Sequence, residues 1–190
     1  MNIPMLLGLL LCGAATAAAA APAEDCSQGP IPDQAPALSI GGKSWALPVA
    51  TVSPNGNVSS GSKKFDGFMV TLQDKAGDSA GAIFAVQILV PEGQQPDGKT
   101  FRQLPTAESA SQAETSDKPE IGTWYTYGSA LPMLSQVGNV VSLRVEVGQR
   151  DSSHTPAVVP VSILFCAPRQ GDIKAPMRLA GKFKAGIKPK

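Results

Sequence analysis

Val141-Ser142-Leu143-Arg144-Val145-Glu146-Val147 alternates apolar and polar side chains without a break. Successive side chains on a strand point to opposite faces. Val141, Leu143, Val145 and Val147 therefore fall on one side, and Ser142, Arg144 and Glu146 on the other. A helix would scatter the same apolar residues around its circumference. The stretch is predicted to be a half-buried strand.

The same period recurs on either side. Phe68, Val70 and Leu72 alternate with Met69, Thr71 and Gln73. Met177, Leu179, Gly181 and Phe183 alternate with Arg178, Lys182 and Lys184, which predicts a closing strand with a solvated basic face. Ala82 to Val90 is apolar on both faces and reads as a central strand. Leu38 to Ile40, the turn Gly41-Gly42-Lys43 and the arm Ser44 to Val52 form a hairpin, with Trp45, Leu47 and Val49 on one face. In Ile121 to Tyr127, Ile121, Thr123, Tyr125 and Tyr127 face one way and Trp124 the other. Val158 to Cys166 is a strand interrupted by Pro160, which suggests an edge or a bulge. Ser53 to Lys64 reads as a polar loop.

About eight strands separated by turn signals, without an amphipathic helix, predict an all-β fold. The expected form is an antiparallel β-sandwich, with a β-barrel as the alternative. Gly 19, Pro 17 and 5% aromatic residues agree with short elements and many turns. Residues 24–36 form an irregular lead-in, and residues 37–190 a single domain. A long polar loop is expected at about 91–120, where no apolar stripe continues.

Residues 1–23 carry no charged side chain. An apolar run from Ile3 to Cys12 gives way to small residues, and Ala21-Pro22-Ala23 has the A-x-A form a signal peptidase accepts. Residues 1–23 are thus expected to be a signal peptide, leaving an exported protein of the periplasm or extracellular space with no stable membrane span. Removing Cys12 with the signal would leave Cys26 and Cys166, an even pair that reads as a disulfide in an oxidising compartment. Closing that loop of about 140 residues would stabilise by roughly 5 kcal/mol in the chain-entropy account.

Formal net charge is +1 and charged residues make up 16%, so no global field steers nucleic acid. Gly93-Gln94-Gln95-Pro96-Asp97-Gly98-Lys99-Thr100 matches a P-loop string, but Pro105 forbids the phosphate-binding helix that should follow Lys99-Thr100. Pro96-Asp97-Gly98 is better read as a tight turn. The one histidine, His154, lies in a sequence that reads as a surface turn, Asp151-Ser152-Ser153-His154-Thr155-Pro156, and one imidazole cannot build a His-based metal site. No catalytic residue, metal ligand or cofactor is assigned. The carboxylates Asp66, Asp74, Asp78, Asp97, Glu146 and Asp151 are scattered along the chain as turn formers or solvated strand residues. From Arg169 to Lys190 the chain is basic, as a solvated strand face and tail.

Trp124, Tyr125 and Tyr127 form the densest aromatic cluster and are the candidate ligand-binding residues, since an exposed aromatic platform stacks on sugar rings or grips a peptide. Gly42-Lys43-Ser44-Trp45 near the start and Leu179-Ala180-Gly181-Lys182-Phe183 near the end resemble a group of bacterial exported β-sandwich domains of unknown function, which a G-K-x-W opening and an L-x-G-x-F closing strand bracket. The resemblance implies that the mature chain is one such domain and brings no substrate with it. The expected function is a non-catalytic binding or interaction module with a protein or glycan partner. The alternatives are a polymer-acting hydrolase using loop carboxylates, and a secreted inhibitor or assembly factor.

Overall fold

A computed structural model describes residues 28–60, 62–77, 79–103, 120–135, 141–169 and 173–188. Residues 1–23, Cys26 and the whole polar segment between Gln103 and Glu120 lie outside that set. The described residues form an all-β fold of eleven strands: β1 (Ala37–Ile40), β2 (Lys43–Ala46), β3 (Val49–Ser60), β4 (Lys63–Gln73), β5 (Ile83–Pro91), β6 (Thr100–Gln103), β7 (Glu120–Tyr127), β8 (Leu134–Ser135), β9 (Ser142–Val147), β10 (Val158–Ala167) and β11 (Met177–Ile187). Among them no helix is long and apolar enough to cross a membrane.

The strands make one sheet in the order β6-β9-β10-β11-β3-β4-β5-β7-β8, with β1 pairing both β11 and β2 beside that path. Every ladder is antiparallel except β11 with β3, which run parallel through Gly186↔Thr51 and Ile187↔Val52. The sheet folds over on itself. Phe165 of β10 meets Phe84 of β5 at 5.0 Å and Trp124 of β7 at 4.9 Å, although β11, β3 and β4 separate β10 from β5 in the ladder. Strands β6 and β7 approach each other, but no ladder joins them among the described residues, so the sheet stays open.

The alternation that predicts β9 also sets its packing. Leu143, Val145 and Val147 pair with Phe165, Ile163 and Val161 and face the core. From β4 and β5, Phe68, Val70 and Leu72 with Phe84, Val86 and Ile88 supply the facing layer.

Several expectations are corrected. Ser53–Lys64 is not a loop: β3 runs on to Ser60 and β4 starts at Lys63, paired through Val58↔Phe65 beyond a bulge between Pro54 and Asn57. Backbone pairing does not require apolar side chains, so a ladder can outrun its core. Pro160 does not mark an edge, because β10 pairs on both sides. Its ladder with β9 begins only at Val161↔Val147, and the Pro160 carbonyl accepts the Gly148 N–H at 2.8 Å, so the missing donor falls where none is needed. The expected loop at 91–120 contains β6, whose buried Phe101 pairs with Val145. A bulge in β7 opposite Val86 and Ile88 turns Ile121 to the core side, away from Tyr125 and Tyr127. The arm from Ser44 divides at Leu47-Pro48 into β2 and β3. This break and the short β6 and β8 raise the strand count above eight.

The described part of the lead-in, residues 28–36, is docked. Gln34 O accepts the Lys182 N–H at 2.8 Å, Pro36 O accepts the Leu47 N–H at 2.9 Å, and Gly29 O accepts from Arg144 Nη2 at 2.7 Å. Gly181 makes the crossing possible. Its φ is +155°, and a Cβ there would stand 2.5 Å from Pro36 Cα and 2.6 Å from Pro36 N. Gly181→Ala is therefore expected to destabilise the protein by about 2–4 kcal/mol in urea unfolding, since backbone rather than a flexible side chain must yield. A loss below ~0.5 kcal/mol would show that the lead-in is not held there.

Candidate binding face

On the outer side of β4, β5 and β7 the register sets side chains in rows. Thr71, Ala85 and Tyr125 form one row, Gln73, Ile83 and Tyr127 the next, and Met69 with Gln87 a third. None of these side chains is charged. Ile83 and Ala85 are buried although they point away from the core cluster, because Tyr127 and Tyr125 stand directly across from them. The two tyrosine rings lie 5.6 Å apart at 35°, and Tyr127 is exposed.

Tyr125 Oη donates to Met69 Sδ at 3.7 Å, which orients its ring. Burial, and then the neighbouring Tyr127 phenol, push the Tyr125 hydroxyl above its ordinary value, so it stays a neutral donor at physiological pH. Gln87 lies beside this pair. A Cβ on Gly122 would meet its Oε1 at 2.5 Å and one on Gly67 its Nε2 at 3.1 Å, so the two glycines make room for a carboxamide held close to the sheet. The face thus combines apolar ring surface with neutral hydroxyl and amide groups.

Trp124 is the correction to the aromatic triplet. It is fully buried, 6.3 Å from Phe84 and nearly parallel to it, and belongs to the core. Met69 and Gln87 were not singled out from sequence. The available signal is phase: half-buried Met69 alternates with Phe68 and Val70 and so shares a face with Thr71 and Gln73, and Gln87 is the one polar side chain in an otherwise apolar strand.

Cys26 lies outside the described residues. Cys166, half-buried on β10, is not a free thiol.

The other candidate groups are each engaged. Asp66 accepts the Gly93 N–H at 2.7 Å, Asp74 accepts the Gly81 N–H at 3.0 Å through Oδ1, Asp97 pairs with Arg150, and Glu146 with Arg144. Asp78 lies outside the described residues. No cluster that could hold a metal ion occurs among the described residues. In the P-loop-like string, Lys99 N–H donates to Pro96 O at 3.2 Å and Thr100 begins a strand, so the segment is a turn. On β11, Arg178, Lys182 and Lys184 are exposed, and Lys182 faces Asp33 at 3.7 Å.

Asp151, Ser153 and His154 do meet, but on an exposed turn and in an order unsuited to nucleophilic catalysis. His154 Nδ1 lies 3.2 Å from both Asp151 Oδ2 and Ser153 Oγ. A relay needs the two ring nitrogens divided between acid and nucleophile. Ser153 Oγ instead donates to Asp151 Oδ1 at 2.6 Å, closing a local turn.

No protein-family model matches the chain, and no similar curated protein or solved structure was found.

Hydrogen bonds from the Ser153 hydroxyl and N–H, chiefly, hold the Asp151 carboxyl below its ordinary value. The folded turn therefore favours the ionised form. Its contribution is present above the ordinary carboxylate range and is lost as pH falls through the lowered value. Ser153→Ala should move the Asp151 midpoint upward in an NMR titration of the side-chain carboxyl. An unmoved midpoint would contradict the assignment.

Proposed function

We propose that this protein is an exported, non-catalytic binding module of the bacterial envelope or extracellular space, and that it binds an uncharged glycan on the outer face of β4, β5 and β7. The observation that carries this reading is the Tyr125–Tyr127 pair, two adjoining rings on a strand whose opposite side is core. The C–H faces of sugars stack on such rings, and their hydroxyls take hydrogen bonds from neutral partners such as Gln87, Thr71 and the Tyr125 phenol. A charged polymer would find no counter-charge in these rows.

Export rests on the sequence of residues 1–23, and the same compartment permits the tether Cys26–Cys166. Ser142 pairs with Cys166 and Leu164 with Arg144 across β9 and β10, so Cys166 and Arg144 share the outer face. Arg144 holds Gly29, and Cys26 is three residues further back, within a reach of about 10 Å of extended chain. The docking of Gly29 on the face that carries Cys166 supports the pairing.

Binding to a panel of neutral and anionic polysaccharides tests the function. The protein should retain on a neutral member, and Tyr125→Ala/Tyr127→Ala should weaken that binding on the order of tenfold or more while the fold survives. Equal binding by the double variant, or a preference for anionic polymers alone, would remove this face from the function.

A further inference from the structure

A different part of the molecule carries a second site, beyond the glycan reading. The parallel ladder between β3 and β11 stops at Val52↔Ile187, and the bulge between Pro54 and Asn57 follows at once on β3. Where the two strands part, the folded sheet has a mouth. A cavity of about 170 Å³ opens there, floored by Val52, Phe68, Val159 and Ile187. Its rim carries Arg150 and Lys188 with Asp97. A second concavity of about 200 Å³ adjoins it through Pro54, Phe68 and Gln95, and adds Asn57 and Asp66, whose carboxylate is already bonded to the Gly93 N–H.

We propose that this mouth binds the C-terminal residue of a peptide chain, with an apolar last side chain in the cavity and the terminal carboxylate on Arg150 and Lys188. The cavity by itself is small. Pockets for drug-sized ligands are roughly 300–1,000 Å³, whereas this one suits a single side chain. The floor is apolar, so the side chain is too. Charge fixes the other end. Asp97 pairs with Arg150 through Oδ2 at 3.2 Å, its buried Oδ1 having no partner among the described residues, and Arg150 and Lys188 together leave this cavity's rim one positive charge in surplus. Among the described residues Arg150 uses only Nη2, on Gln95 Oε1 and Asp97 Oδ2. Its remaining donors match the paired oxygens of a carboxylate. Asn57 and Gln95 supply amides for the main chain of the preceding residue, so the adjoining concavity is the path by which the peptide leaves. Capture of a chain terminus in this manner needs carboxylate, apolar side chain and main-chain amide together.

The test is a titration of ¹⁵N-labelled protein with acetyl-Gly-Gly-Leu as free acid, as C-terminal amide, and with octanoate. The free acid should shift the amides of Val52, Val159, Arg150 and Lys188, and the amidated peptide should bind on the order of tenfold more weakly. Arg150→Gln/Lys188→Gln should erase the preference for acid over amide while the rest of the spectrum persists. Tyr125→Ala/Tyr127→Ala should leave the titration unchanged, which separates this site from the glycan face. Equal binding of acid and amide, shifts elsewhere, or octanoate binding as tightly as the peptide would overturn the proposal.

Discussion

Phe165 lies against Phe84 and Trp124, and through these three rings the two halves of an open sheet hold each other. Backbone hydrogen bonds do not do this work alone. The ladder connects β11 to β3 through two residue pairs only, and no ladder joins β6 to β7 among the described residues. Closure therefore depends on side chains meeting across the interior. Burying one large apolar side chain stabilises by about 1.5–3 kcal/mol, and tilted aromatic pairs add about 0.5–1.5 kcal/mol. The cost is visible at Trp124, whose buried Nε1–H has no partner among the described residues, a penalty on the order of 1–3 kcal/mol that the ring's packing must offset.

The lead-in plays the complementary part on the outside. Leu164, Ser142 and Arg144 are buried although they point away from the core, and the chain near Gly29 is what Arg144 reaches. Arg144 Nε stands 3.2 Å from Glu146 Oε1 as an ion pair, yet without the alignment of a hydrogen bond. The guanidinium's directed bond goes instead to Gly29 O. A segment that is irregular in sequence is thus fixed by one buried cation, by ladder-like bonds to Lys182 and Leu47, and by the space Gly181 leaves. A tether from Cys26 to Cys166 would secure the same segment covalently.

How much of this was legible follows from range. Period-two alternation is local, so β9, β4 and β11 and their inward faces could be read directly, β5 could be read as a strand from its unbroken apolar run, and Tyr125 and Tyr127 could be set opposite Trp124. Features that depend on distant partners could not. Polar Ser53–Ser60 is a strand only because β4 returns beside it. Pro160 is harmless only because β9 ends one residue short of it. Ile121 changes face through a bulge that its own sequence does not announce. The mouth joins Asp97 and Arg150, far apart in the chain and unremarkable separately. Met69 and Gln87 gain meaning only once β5 lies between β4 and β7.

The same architecture places the two proposed sites. Strands buried on one side leave the other free to carry rings and amides, and an incompletely zipped parallel pair leaves an opening beside a positive rim. Both depend on the sheet remaining folded over, and so on the contact across its interior. The most direct test is a double-mutant cycle with Phe84→Leu and Phe165→Leu, chosen because neither ring carries a polar atom that truncation would orphan. Urea unfolding of the single and double variants should give a coupling of about 0.5–1.5 kcal/mol. Losses that simply add, within ~0.3 kcal/mol, would mean that the two halves do not meet through these rings.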